Sequence, residues 1–511
     1  MGLVVVGVFM IIVIVIIHEY WWGNRKAIVP KWPILGMLPR LVCKFPCLHE
    51  YATHVLGQSG GTFEFKGPLF SGMDIIATSD PLNFQHITTT HFTNYPKGQA
   101  SRDIFHDVLG DGIINSDFDL WKFQRRMFQL STRQHTFNFH SFVAKSLHQH
   151  LLNHFLPFLH HATQTQIQVD LQEALQQMVT FDNAILLIFG LDLSSYKFKY
   201  SKAEYLNAFN EMEEVAIHRH ILPKLYWKLQ KLLQIGTEKR LRIARRKFDE
   251  FLFQCISLKR EQMSLTDDDE NDEEGNNNNL GLLAIYMKEK SFSNEFLKDV
   301  AINLLAAAKD TLTTGLSWFF WIVATHPNIE AKILGEMKEK LGCNNNNNNN
   351  GYYKIEELSK LVYLQATIYE TFRLYPPVPF NHRTSIKEDV LPSGHHVKPN
   401  QMVFMSFYSS GRMEQVWGKD CLEFKPERWI NCEQGNNKFV FVPSHKFPSF
   451  YIGPRTCLGK DIALIQMKVL AVNVLKNYCF HVVEGHSVCP NLTFTFSMKY
   501  GLKIRVSKRC F

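Results

Sequence analysis

The sequence predicts a mainly α fold with a smaller β part, and three observations carry that prediction. Long stretches of helical periodicity fill the middle of the chain, strand-like runs are short and come late, and no internal repeat divides it. At 511 residues, 45% apolar and 20% charged with 40 Phe, the chain can bury a sizeable core. Its formal charge of +8 is spread out, which suits an anionic lipid surface or an acidic protein partner better than nucleic acid.

Read from the N-terminus, residues Met1 to Ile17 carry no charge and are followed by EYWWGNRK. That length is at the short end of a membrane span. Tyr20, Trp21 and Trp22 suit an interfacial belt, with Arg25, Lys26 and Lys31 left on the cytosolic side. A cleaved signal peptide would want a basic start and small residues before the cut, and bulky aromatics stand there instead. The expectation is a single-pass anchor over 1–22. Pro30, Pro33 and Pro39 then stiffen a hinge over 23–40, ahead of one body over 41–511.

Within that body, Lys224 to Gln262 reads as a long amphipathic helix with a basic face. Glu295 to Pro327 is apolar nearly all round, as a helix buried in a large protein should be. Strand signals lie at Ser393–Ser410, Cys479–Gly485 and Leu492–Val506. The polar runs Thr266–Asn279 and Cys343–Asn350 cannot bury apolar area and read as solvated connections. Ten scattered cysteines without a CxxC pair exclude a disulfide scaffold or a zinc ribbon and suit a reducing compartment. His150 and His154 share helical spacing but lack the Glu of HExxH, so they read as ordinary solvated or core histidines.

Three places carry candidate chemistry. Asp310 and Thr311 sit mid-way along the apolar helix, where an acid and a hydroxyl are costly without partners or a task. Taken alone, a back-bonded Thr and a solvent-seeking Asp would be the commoner case. Glu370 and Arg373, three apart on one helical face, can pair, and Arg428 of FKPERW could join them; alone the pair would be a surface contact of little weight. In FYIGPRTCLG, Gly453 and Gly459 permit close backbone approach and Arg455 offers donors for a carboxylate. Cys457 would project from that turn as a thiolate whose sulfur the neighbouring amides can bond, the way a protein holds a haem iron.

Together these sites resemble the cytochrome P-450 superfamily of haem-thiolate monooxygenases. Its F-x-x-G-x-R-x-C-x-G is matched by Phe450, Gly453, Arg455, Cys457 and Gly459, and its E-x-x-R by Glu370 and Arg373. Pro426, Glu427 and Arg428 match P-E-R; Ala307, Asp310 and Thr311 match A-G-x-D-T; Trp121 and Arg125 match W-x-x-x-R. LGDGIINSDFDLWKFQRR and GRMEQVWGKDCLEFKPERWI are similar to the plant alkane and fatty-acid hydroxylase clan, nearest to its mid-chain alkane hydroxylases.

The resemblance implies the cytochrome P-450 fold behind an N-terminal membrane anchor helix, with 41–511 as the monooxygenase domain. It implies haem b ligated by Cys457, with propionates held by Trp121, Arg125, Arg383 and Arg455. Asp310 and Thr311 would relay protons to dioxygen, and Glu370, Arg373 and Arg428 would form a structural lock. The partners implied are O2, a long-chain aliphatic substrate, the endoplasmic reticulum membrane and an NADPH-cytochrome reductase, with Lys122, Arg126 and Lys460 as its candidate docking charges. Ile113, Ile114, the Val378–Phe380 segment and Thr493–Phe496 would contact substrate. The chain departs from the pattern at Ala308, Leu312, Tyr451 and Ile452. Added bulk there is expected to crowd the dioxygen groove and disturb the cysteine loop, and the alternative is a divergent duplicate that binds haem without efficient turnover. An oxygen-independent isomerase or dehydratase has no need of the Asp310–Thr311 relay.

Overall fold

Helices carry most of the chain in the computed structural model. It describes residues 18, 20, 23–25, 27–133, 139–267, 281–289, 292–342, 352–433 and 436–509. The axis of the body is the apolar helix expected from the sequence, observed as Asn294–Thr325. The Ser293 side chain caps it by accepting from the Phe296 amide, and the next helix, Pro327–Leu341, opens on a proline that cannot continue the first. Trp318, Phe319 and Phe320 bury it in one core cluster with the Val362–Leu374 and Lys460–Asn477 helices. A second cluster packs it against the Lys202–Ile221 and Gly236–Asp267 helices.

The long amphipathic helix read over Lys224 to Gln262 is two helices, Lys224–Leu233 and Gly236–Asp267. Gln234 and Gly236 take left-handed φ values of 53° and 57° between them. Glycine adopts that conformation at little cost, and continuous periodicity on either side hid the break. Leu225, Leu229, Leu232 and Leu233 of the first piece are exposed.

Eleven short strands stand among the described residues: β1 Thr62–Phe65, β2 Ile75–Thr78, β3 Val169–Asp170, β4 Phe380–Thr384, β5 Asp389–Val390, β6 His396–Val397, β7 Met402–Ser406, β8 Ile430–Glu433, β9 Asn436–Phe439, β10 Tyr478–Val482 and β11 Lys503–Lys508. The main sheet runs β1-β2-β7-β4, parallel only between β2 and β7. β1 to β3 were not legible because runs of two to four residues are too short to show alternation. Leu492 to Met498 is not a strand; a single Pro490–Met498 bridge marks it. Ser406 caps a helical turn at Phe407–Ser410, which ends the strand signal expected over Ser393–Ser410.

In the hinge, Trp32 and Gly36 exchange backbone hydrogen bonds of 2.7 and 2.9 Å before a short helix, Leu38–Cys43. Residues 1–17, Glu19, Trp21 and Trp22 of the expected anchor lie outside the described residues, as do Lys26, Cys343–Asn350 and all of Thr266–Asn279 beyond Asp267. Among the described residues, no helix is long and apolar enough to cross a membrane.

Candidate active site

Cys457 stands at the foot of a cavity of about 470 Å³ enclosed by the central helix, β4 and the cysteine loop. The surface it exposes faces that cavity. Its own amide donates to the Phe450 carbonyl at 2.8 Å, and the Thr456 hydroxyl donates to the Gly453 carbonyl at 2.6 Å, so the loop is tied at both ends. Gly453 has φ +66°, and a Cβ there would lie 2.3 Å from the Thr88 carbonyl oxygen; no other residue fits. The helix Lys460–Asn477 starts just beyond, so its positive end lies near the sulfur. Burial pushes the Cys457 thiol up, opposed by the Gly459 amide and the Arg125 guanidinium.

Above the loop lie several buried cations. Arg125 donates to the Thr456 carbonyl at 3.0 Å. Arg455 donates to Asp117 at 2.6 Å and packs over the Trp121 ring at 4.6 Å. Lys97 donates to Asn381 at 3.0 Å, and β4 brings in Arg383 opposite Val403. Asp117 also accepts from the amides of Lys97 and Gly98, both at 2.9 Å. Against these cations it is a single carboxylate. Arg383 Nη1 and Arg455 Nε are buried with no hydrogen-bond partner among the described residues. Burial and the charge of Arg383 hold Arg455 down at about 9 despite Asp117, and burial with Arg383 and Arg455 pushes Lys97 well down. A site with surplus buried donors beside a thiol suits a group bearing carboxylates on a thiolate-ligated metal.

On the opposite wall the central helix presents Ala307, Ala308, Thr311 and Leu312. The Thr311 hydroxyl donates to the Ala307 carbonyl at 2.5 Å, the back-bond expected of a helical threonine. Asp310 does not line the cavity. Its carboxylate pairs with Lys309 and accepts from Gln176 at 3.1 Å, while Oδ2 is buried without a partner among the described residues. Glu213, from the Lys202–Ile221 helix, does line the cavity, and burial with the charge of Asp310 pushes its carboxyl up to about 8. Of the expected substrate segments, Ile113, Ile114, Val378, Phe380, Phe494 and Thr495 line the cavity. Phe496 does not: it is buried in the core against Trp318.

Glu370 and Arg373 are not a surface pair but among the most buried charges present, at 0% and 2% exposure. Arg373 donates to both Glu370 oxygens at 2.8 Å, and to the carbonyls of Gly411, Cys421 and Glu423. Glu370 also accepts from Arg428 Nε at 3.3 Å and from Trp429 Nε1 at 3.0 Å, while Glu427 turns outward to Lys332.

The departures in the loop are accommodated. Ile452 is buried beneath the main sheet, and the Tyr451 ring packs edge-on to Phe407. The Tyr451 hydroxyl accepts from Arg383 Nε at 2.8 Å, so the substituted residue orients a cavity cation instead of disturbing the thiol. Its backbone, at φ 61° and ψ −179°, is in a region that is otherwise almost confined to glycine and costs about 1–3 kcal/mol. Nothing in the site favours the inactive alternative.

A thiol, surplus guanidinium donors and a helical threonine around one apolar cavity match a single family pattern, and the cytochrome P450 family profile matches residues 30–504. The chain belongs to the cytochrome P450 family. As a member it is a haem-dependent monooxygenase that uses O2 and a redox partner. It is 37% identical to "Alkane hydroxylase MAH1" of Arabidopsis thaliana over 503 residues, covering 97% of each chain. It is 36% identical to "Cytochrome P450 86B1" of Arabidopsis thaliana, over 98% of this chain and 89% of the relative. "Noroxomaritidine synthase 2" of Narcissus pseudonarcissus follows at 33%, over 95% and 92%.

Sequence reasoning missed Lys97, Asp117, Glu213, His220 and His382, all in or against the cavity. His220 and His382 face each other at 3.2 Å between Nε2 atoms, and burial pushes His220 down to about 4 and His382 well down. Single polar residues in unremarkable context carry no sequence signal; only folding brings them together.

Proposed function

We propose that this P450 hydroxylates long aliphatic chains, alkanes or fatty acids, drawing electrons from NADPH through a membrane-bound NADPH-cytochrome reductase. The observation that carries this reading is Cys457 opening into a cavity walled by Val108, Leu109, Ile114, Leu304, Val378 and Phe494. Such walls hold an alkyl chain by apolar contact and give water little to bond. The 37% identity to an alkane hydroxylase supports the same substrate class.

Haem b, held by Cys457 with its propionates on Arg125, Arg383, Arg455 and Trp121, would supply reductive activation of O2 and insertion of one oxygen atom into a C–H bond. Phe450, Gly453 and Gly459 shape the loop that presents the thiolate. The Thr311 hydroxyl, already bonded to Ala307, can accept and pass a proton at its oxygen. Asp310, one residue behind it, is paired with Lys309 and Gln176 and would have to leave Lys309 to take part in a proton relay. Glu370, Arg373 and Arg428 hold the floor beneath the loop.

The domain reading is an anchor over 1–22, a hinge over 23–40 and the monooxygenase domain over 41–511, in the endoplasmic reticulum membrane with the domain in the cytosol. Exposed Ile34 and Leu35 in the hinge, with Leu69 and Phe70 beside it, support contact with lipid. Lys122 and Arg126, exposed on one face of a helix whose Arg125 holds the cysteine loop, are candidate reductase contacts, with Lys460 next to the loop.

The test is the reduced, CO-bound difference spectrum of the microsomal protein, followed by turnover of long-chain alkanes and fatty acids with reductase. A thiolate-type band with alcohol formation is expected. A thiolate band with turnover confined to aromatic or polar substrates would overturn the substrate class; a band of thiol or histidine type would overturn the assignment of Cys457.

A further inference from the structure

Away from the cavity, three side chains from two separated parts of the chain bring ligand atoms to one point. His86 opens the helical turn His86–Thr90, His91 follows it, and Asp389 begins β5, 303 residues beyond His86. His86 Nε2 lies 2.9 Å from Asp389 Oδ2 and 2.8 Å from His91 Nδ1, and His91 Nδ1 lies 3.9 Å from Asp389 Oδ2. Donor atoms about 2.0–2.1 Å from a tetrahedral ion would be about 3.3 Å apart, so these three edges bracket one face of such a tetrahedron.

Hydrogen bonds can hold this triangle: with His86 Nε2–H donating to Asp389, His91 Nδ1–H can donate to His86 Nδ1 at 3.1 Å. A cation at the centre would replace both protons and bond a nitrogen of each imidazole and the carboxylate oxygen together. The surroundings suit it: the Tyr95 hydroxyl donates to Asp389 Oδ2 at 3.0 Å and the Val390 amide to Oδ1 at 2.8 Å, so the carboxylate is held in place. The His86 and Asp389 side chains are 12% and 17% exposed and His91 is 47% exposed, which leaves an approach from solvent and room for a water as fourth ligand.

We propose that His86, His91 and Asp389 form a binding site for a divalent transition-metal ion, with Zn²⁺ the best match to two imidazoles and one carboxylate. Calcium and magnesium, which prefer all-oxygen shells, should not compete. An ion there would clip the His86–Thr90 turn to β5. The same turn supplies the Thr88 carbonyl that packs against Gly453, so the clip would brace the support of the cysteine loop.

The experiment is equilibrium dialysis of full-length holoprotein, first stripped with chelator, against buffered Zn²⁺, with bound zinc counted by mass spectrometry. The wild type should retain one tight equivalent, unaffected by millimolar Ca²⁺ or Mg²⁺. His91→Gln, at a half-exposed position, should keep the fold and haem spectrum and lose that equivalent, with zinc affinity at least about tenfold weaker. Tyr95→Phe should weaken it less, and His154→Gln, in the other histidine cluster, should leave it unchanged. Equal zinc retention by His91→Gln and wild type would overturn the site, as would no tight equivalent in the wild type.

Discussion

The Glu370 network and the Arg383–Arg455 cluster are both buried sets of charges, and they are built on opposite principles. Glu370 receives donors from Arg373, Lys425, Arg428 and Trp429, and Arg373 spends its remaining hydrogens on three carbonyls. That set is complete within the chain. Around Arg383, by contrast, guanidinium nitrogens are left without acceptors and Asp117 serves several donors at once. A closed network stabilises the fold; an open one holds its charges ready for a ligand that brings the missing carboxylates.

The largest effect should come from Glu370→Ala, which leaves the buried Arg373 without its anion and Arg428 with Asp420 alone. A loss of about 3–5 kcal/mol is expected, a large part of a domain's total stability, read as failure to recover folded haem protein or as a steep fall in unfolding midpoint. Recovery of a variant with near wild-type stability would show that the network is not closed in the way the hydrogen bonds indicate.

Arg383→Gln should do the reverse. Haem retention on dilution should fall by at least about tenfold, since a charge-assisted contact contributes about 1.5–3 kcal/mol. The haem-free protein should lose no more than about 1.5 kcal/mol, because removal of a buried charge that has no carboxylate partner offsets the lost bond to Tyr451. If its stability falls as that of Glu370→Ala does, the contrast between the two sets is broken.

Tyr451→Phe sharpens the comparison at one atom. It removes the acceptor that Arg383 Nε uses and leaves the strained backbone unchanged, so a loss of about 1.5 kcal/mol in thermal stability is expected. No change would mean that the hydroxyl does not orient Arg383.

Glu213→Gln should have the smallest effect near pH 5 and a growing one above it. The folded carboxyl, pushed up to about 8, keeps a proton that the unfolded chain releases near 4.5. Wild-type stability therefore falls as pH rises through that window, and it levels off above it. The glutamine variant lacks this term, so its melting temperature should gain on wild type from pH 5 to pH 8. A constant difference across that range would show that Glu213 titrates as an ordinary glutamate.

What the sequence determined by itself was local chemistry with rigid spacing. Cys457 among glycines, the Glu370–Arg373 pair, Asp310–Thr311 within an apolar helix and the helix Asn294–Thr325 all follow from residues a few positions apart, where backbone geometry ties spacing to contact. Tertiary structure decided whatever depends on residues far apart in sequence. It buried the Glu370 pair that alone would have been a weak surface contact, turned Asp310 from the cavity toward Lys309 and Gln176, and gave Tyr451 a partner in Arg383. It also set Asp117 against Arg455 and His86 against Asp389, 338 and 303 residues apart. The physical reason is that a charge's role depends on burial and on the charges facing it, and both are properties of packing that no local pattern encodes.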